Sequence, residues 1–394
     1  MTSCAAKEAA PPRPPLEIAD IVRTHGEAFG RSHVLTPGQA EALRAIVRCR
    51  TAALGGHLDV CPACEYEHPS YNSCRNRHCP KCQALAQAKW IAEREARILP
   101  TKHFHVVFTI PSELHALARF RREKVFDLLF HAARSTLLDL GRERLHADLG
   151  ATMVLHTWTR DLRFHPHIHA IVTGGGLSFD GTRWVPTRND YFMPVKLLGA
   201  VFRDRFITGI RALSRDGVFD GFDMPGALDR LLETVAKKAW IVYAKRPFGE
   251  ARHVLRYLGR YTHRVGISNQ RMVSMSEDGY VTFRTKDGKS VTLSGEDFLA
   301  RFVEHVLPKQ YVKIRHVGLM AASNVNTKLA RARELLAPTA TVAPAPSPTM
   351  LTWQDALLQL AGIDVRRCPR CSAELVRSHL PTAALRSLSP PDTS

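Results

Sequence analysis

Cys61-Pro-Ala-Cys64 and Cys79-Pro-Lys-Cys82 are two C-x-x-C knuckles separated by fourteen residues. Proline after the first cysteine favours the tight turn that lets both sulfurs face one ion, and four thiolates so spaced suit one tetrahedral Zn²⁺. The spacing therefore predicts a structural zinc on Cys61, Cys64, Cys79 and Cys82. Cys74 and His78 lie between the knuckles and His57 and His68 flank the first; they could complete a second zinc site, replace a knuckle cysteine, or line the module. Arg75, Arg77 and Lys81 on the same loop suit contact with DNA phosphates, although a solvated basic loop explains them nearly as well. Cys368-Pro-Arg-Cys371 is half a zinc ribbon with no second half after it, so its partner must come from elsewhere in the fold or from another chain. Cys4 and Cys49 stand alone and read as plain free thiols.

The second dense feature is His165-Pro-His167-Ile-His169 followed by Ala-Ile-Val-Thr-Gly-Gly-Gly. On a strand, residues two apart share a face, so His167 and His169 present two imidazoles side by side while Ile168 points into a core. Two buried imidazoles need partners, and a metal ion supplies one for both. The preceding strand-like run holds His156, eleven residues before His167. If the two runs pair antiparallel, His156 adds a third nitrogen, and three histidines leave coordination positions open for substrate and water. His165 fits less well, because Pro166 interrupts a ladder.

The third feature is EARHVLRYLGRYTHRVGIS, where Arg252, Arg256, Arg260 and Arg264 recur every fourth residue beside a row of His253, Tyr257 and Tyr261. On a helix this sets two phenols one turn apart along a guanidinium stripe. Taken alone, an amphipathic helix with boundary tyrosines explains it as well. Four arginines in a row repel one another unless an anion lies along them, and phosphate is the obvious one. A phenol attacks phosphorus only where the developing phosphoryl charge is stabilised, which is what a metal on three histidines and flanking arginines would do.

The elements that must position these groups are legible in outline. Apolar residues from Leu16 to about Ala53 recur at helical spacing, and QALAQAKWIAEREARIL reads as a helix ended by Pro100. HFHVVFTI, MVLHTWT and HIHAIVTG read as strands, with a helical stretch over 112–140 between the first two. Helices are expected near 196–214, 225–239 and 249–261, a strand at 240–244, and hairpin-like segments over 272–293 with EDG and KDG turns. The sum is an α+β fold: an antiparallel sheet flanked by helices, preceded by a small helical and zinc-knuckle module. The linear division is residues 1–15 disordered, 16–100 a helical lead-in and zinc-binding domain, 101–335 a catalytic domain, 336–350 a Pro/Ala linker, and 351–394 a C-terminal tail with the half ribbon. No internal repeat is visible.

Charge and length bound the function. The 394 residues carry 55 Lys+Arg against 37 Asp+Glu, a formal charge of +18, which calls for an anionic partner. Hydrophobic residues make up 45% of the chain, enough for a packed core and against disorder throughout. Seven of the nine cysteines sit in local pairs or clusters in a chain too long to need disulfide staples, which favours metal. No apolar run approaches the roughly 18 residues of a membrane span and the N-terminal residues lack a signal-peptide core, so an intracellular protein without a membrane association is expected.

SCRNRHCPKCQ, LHTWTRDLRFHPHIHAIVTGGG and YLGRYTHRVGISN, in that order over roughly residues 15–330, together resemble the HUH-type rolling-circle transposases of the insertion-sequence ninety-one family. The resemblance implies an HUH-endonuclease-like sheet with the HUH motif on a central strand and the tyrosines on a helix opposite. It implies that His167 and His169 bind Mg²⁺ or Mn²⁺ and that Tyr257 and Tyr261 are the nucleophile pair. One tyrosine would form a 5′-phosphotyrosine link with single-stranded DNA and leave a free 3′-hydroxyl. His156 as third ligand follows by analogy with HUH relaxases. The expected partner is DNA, mainly the single-stranded or hairpin ends of the protein's own element, in a bacterial cytoplasm and at the nucleoid when bound. A rolling-circle replication initiator or relaxase shares this chemistry, and a non-catalytic zinc-dependent DNA-binding protein is the alternative of a different class.

Overall fold

The computed structural model describes residues 14–83, 86–87, 90–91, 94, 97–188, 192–222, 226–248, 259, 266–337 and 352–380. Its strands, in chain order, are β1 (Gly56–Val60), β2 (Glu67–Tyr71), β3 (His103–Thr109), β4 (Ala147–Trp158), β5 (Phe164–Ser178), β6 (Trp184–Pro186), β7 (Val242–Phe248), β8 (Met272–Met275), β9 (Tyr280–Arg284), β10 (Ser290–Ser294), β11 (Ile314–Gly318) and β12 (Val376–His379). The chain forms two compact units, each assembled from distant segments. One draws on Met1–Gln83, Arg264–Val306 and Val365–Ser394, the other on Ala84–His263 and Leu307–Asp364. The expected linear boundaries at 100, 335 and 350 do not coincide with these units, because strands and helices from both ends of the chain find their partners in the first.

The second unit is a mixed layer of helices on an antiparallel sheet in the order β11-β4-β5-β3-β7, with β6 beside β5. Alternation makes the sheet two-faced. Phe104, Val106, Phe108, Met153, Leu155, Ile168, Ala170 and Val172 point one way and form a single core with Phe126, Leu129 and Leu137 of the helix Arg122–Leu145 and Phe202, Phe206 and Ile210 of the helix Val195–Arg215. Burying each such side chain is worth about 1.5–3 kcal/mol, so this face fixes the register. The opposite face keeps the polar members of the same strands, histidines among them.

The glycine triplet that ends the histidine run has a packing reason. A Cβ on Gly174 would lie 2.6 Å from Lys102 O, and one on Gly176 would lie 2.6 Å from Asp148 O. Gly175 has φ +150 and would meet Val185 O at 2.5 Å. Three neighbouring segments thus close on β5 where it has no side chains.

In the first unit, β1 is central in a sheet ordered β12-β1-β2, and β8, β9 and β10 form a separate meander, where the sequence suggested two hairpin-like segments. The helix Ile18–Ser32 buries Ile18, Ile21, Val22 and Phe29. The helix Pro37–Arg48 starts on a capping box, Gln39 N–H donating to Thr36 Oγ1 (3.3 Å) and Thr36 N–H to Gln39 Oε1 (2.9 Å), with proline at its first position. Gln39 also donates to the carbonyl of Val303 (3.0 Å), tying this helix to the helix Gly295–Val303. Among the described residues no helix is long and apolar enough to cross a membrane.

Candidate functional site

β4 and β5 pair antiparallel with His156 opposite His167 and Val154 opposite His169. Directly opposed residues share a face, so His156, His167 and His169 converge on the side of the sheet away from the large core. Their nitrogens lie within 4.8 Å of one another, and the Nε2 atoms of His167 and His169 are 3.1 Å apart. Cis ligands about 2.1 Å from one ion stand about 3 Å apart, so the pair fits a shared cation. His156 is buried and stacks on Trp158, ring centroids 4.7 Å apart at 17°. His165 lies outside this group, though Phe164–Ser178 remains one strand: Pro166 falls beyond the last β3 partner and beside a register shift at His156/Trp158.

Tautomers follow from the partners. His167 Nδ1–H donates to the carbonyl of His165 (2.6 Å), which turns the Nε2 lone pair toward the cluster. Burial pushes the His167 pKa down to about 4, which keeps the ring neutral and able to act as a ligand. His169 Nδ1 is 2.7 Å from Nε2 of His105 on the neighbouring strand β3. His105 was not singled out in the sequence, although His103-Phe-His105 repeats the H-x-H spacing and alternation set it on the histidine face.

Tyr257, Tyr261, Arg252, Arg256, Arg260 and Arg264 lie outside the described residues. Gly259, between the two tyrosines in sequence, is described: it is helical and buried, and a Cβ there would meet Ile91 Cδ1 at 2.4 Å. Ile91 packs on the small cluster of Trp90, Val154 and Ile171, and these last two sit on the histidine face beside His169. Tyr243 also belongs to that face: it pairs with Val107, which pairs in turn with His169.

The cysteines assemble differently from the expected single site. Cys61 and Cys64 do not join Cys79 and Cys82. Cys49, Cys74, Cys79 and Cys82 form one group and Cys61, Cys64, Cys368 and Cys371 another, each with its sulfurs within 4.8 Å of one another. The reason is register. The first knuckle forms the turn between β1 and β2, while Cys49 follows the helix Pro37–Arg48 and lies close enough for Cys74 N–H to reach its sulfur at 3.5 Å. His78 joins neither group; its Nε2 accepts from Arg77 Nε at 3.4 Å. Lys81 is no phosphate contact: it is buried in an ion pair with Glu17 (2.5 Å), each side chain 4% exposed. Arg75 is exposed and Arg77 half-buried.

Four thiols so close suit a dication chemically. In the first group hydrogen bonds from Cys74, Cys79 and Cys82 pull Cys49 down, while Cys49 pushes Cys79 and Cys82 up. Thiols this close oppose one another's ionisation, and all four ionise together only around a cation. Cys74 and Cys82 sulfurs stand 3.5 Å apart, close to the roughly 3.8 Å edge of a tetrahedral ZnS₄ site.

Comparison with known proteins covers the segments that carry both sites. A family model described as "Transposase zinc-binding domain" matches residues 21–110 and one described as "Putative transposase" matches residues 150–328, spanning the first cysteine group and the histidine strands respectively. No solved structure matches the chain. The "Transposase for insertion sequence element IS801" of Pseudomonas savastanoi pv. phaseolicola is 29% identical over 378 residues, 91% of this chain and 88% of that protein. The "Putative transposase y4qJ" of Sinorhizobium fredii is 41% identical over 372 residues, 90% of this chain and 92% of that protein. With identity of that level over nine-tenths of the chain and both family models matched, the chain belongs to the transposases of the insertion-sequence ninety-one family.

Proposed function

We propose that this transposase nicks and rejoins single-stranded DNA through a tyrosine, with His156, His167 and His169 holding Mn²⁺ or Mg²⁺ and Tyr257 and Tyr261 as nucleophiles. The observation that carries the reading is the placement of His156 opposite His167, which gathers three imidazoles from two strands on one sheet face. When bound, the divalent ion withdraws charge from the scissile phosphate. Imidazole is a softer donor than oxygen, so this set favours Mn²⁺ over Mg²⁺.

The phenol oxygen attacks phosphorus, the bond to the 3′ oxygen breaks, and the phenol's proton passes through water to that oxygen. The products are a 5′-phosphotyrosine and a free 3′-hydroxyl, and the reverse reaction with a different 3′-hydroxyl transfers the strand. Arg252, Arg256, Arg260 and Arg264 would hold the DNA backbone along the tyrosine helix. The approach of Gly259 to Ile91, itself packed beside His169's neighbours, puts the one described residue between the tyrosines near the histidine face. DNA is the partner, with single strands or hairpin ends of the element as substrate and the cytoplasm as the place of action.

The test is covalent capture. A single-stranded oligonucleotide spanning an element end, incubated with protein and Mn²⁺, should give an SDS-resistant adduct that His167→Ala abolishes. An enzyme that binds this DNA tightly and never forms an adduct would be a non-catalytic DNA-binding protein.

A further inference from the structure

Two knuckles from opposite ends of the chain share one local geometry. Cys61 N–H donates to Tyr66 O (2.8 Å) and Glu65 N–H to Cys61 O (3.0 Å); Cys368 N–H donates to Ala373 O (2.8 Å) and Ser372 N–H to Cys368 O (2.9 Å). In both, the residue four after the first cysteine is left-handed, Glu65 at φ 54 and Ser372 at φ 62. A non-glycine residue pays roughly 1 kcal/mol for that conformation, so its recurrence at matching positions marks a shared requirement. That requirement is a turn that aims two sulfurs the same way.

The knuckles face each other because β12 pairs antiparallel with β1, Val60 opposite Val376. Asp59, which is buried, holds Arg377 across that ladder by two bonds of 2.6 and 2.8 Å. Arg370 lies over the Tyr66 ring at 5.2 Å. The sulfurs then meet crosswise, Cys61 to Cys371 at 3.4 Å and Cys64 to Cys368 at 3.5 Å, from residues 310 and 304 positions apart. A disulfide needs about 2.05 Å, whereas a tetrahedral ZnS₄ edge is about 3.8 Å.

We infer that Cys61, Cys64, Cys368 and Cys371 hold a second structural Zn²⁺, in a ribbon whose halves come from the two ends of the chain. Four thiolates and one dication leave two negative charges, and Arg366 and Arg367 precede the C-terminal knuckle while Arg370 lies within it. The ribbon makes the first unit depend on a segment synthesised about 300 residues later: the N-terminal knuckle has two of its four ligands until residues 368–371 arrive. Cys49, Cys74, Cys79 and Cys82 are complete without them.

The full reduced chain should contain two zinc ions by elemental analysis, falling to one in Cys368→Ser/Cys371→Ser. Two ions retained in that variant, or one in the parent chain, would overturn the assignment. A measurement on the unaltered chain guards against misfolding of the variant. Cys371 is solvent-exposed, so as an unliganded thiol it would alkylate at once, and as a zinc ligand it should react at least tenfold slower with N-ethylmaleimide until a chelator removes the metal. Equal labelling of Cys371 before and after chelation, or a Cys61–Cys371 or Cys64–Cys368 disulfide in protein purified under reducing conditions, refutes it. None of these readouts involves DNA cleavage, so they stand apart from the proposed strand-transfer chemistry.

Discussion

His105 Nε2 lies 2.7 Å from Nδ1 of His169, and the two rings stack 5.0 Å apart at 6°. With His169 donating, its Nε2 lone pair is aimed at His167 and His156, so His105 on β3 sets the orientation of a candidate ligand on β5. Outer partners of this kind are worth roughly 10–100-fold in metal affinity. His105→Ala should therefore raise the Mn²⁺ concentration needed for half-maximal cleavage by about that factor, with the rate at saturating metal much less affected. An unchanged metal requirement would leave His105 a packing residue.

His167→Ala and His169→Ala should each abolish cleavage while oligonucleotide affinity stays within about twofold, because phosphate contacts along the basic surface supply the binding. His156→Ala should behave alike. A His156 variant with full metal-dependent cleavage removes it from the ligand set and leaves the other two.

Tyr257→Phe with Tyr261→Phe should eliminate the covalent adduct, each single variant retaining part of it. Phenylalanine keeps the ring and removes only the hydroxyl, so a loss points to chemistry. If an adduct survives, Tyr243 is the residue to change next: it is 50% exposed and stands on the same sheet face as His169, two strands away.

Lys81→Met should destabilise the first unit by about 3–5 kcal/mol, since it leaves the Glu17 carboxylate buried without its partner. Adding Glu17→Leu should recover much of that loss. Chemical denaturation of the single and double variants measures both; a single-variant loss below 1 kcal/mol would show that the pair is hydrated in solution.

What could be read from the sequence divides along the range of the interaction. Alternation alone gave β4, β5 and the shared face of His167 and His169, and a short connection made the His156–His167 pairing the natural one. The meander over 272–294 was half seen, because its EDG and KDG turns are local. The cysteine partition was visible only in part: the half ribbon at Cys368 and Cys371 called for a distant partner and Cys74 was a candidate ligand, but neither Cys49 nor the split between the two knuckles showed. Two C-x-x-C pairs fourteen residues apart look self-sufficient, and nothing local tells Cys61 that its partners sit beyond residue 367 or tells Cys79 that Cys49 waits at the end of a helix. Lys81 misled for a related reason: a lysine in a basic loop reads as exposed until Glu17 is brought against it.

β12 lies along one side of β1 and β2 along the other, so both rows of β1 backbone groups are paired. A chain that stops short of residue 376 would leave one row of Gly56–Val60 open, and an open row of N–H and C=O groups is a template for another strand. A late nonsense codon in this gene would therefore move the open edge of this sheet from β12 to β1. Among the described residues β12 is itself an edge strand, but its four exposed residues make a shorter template than the five of β1.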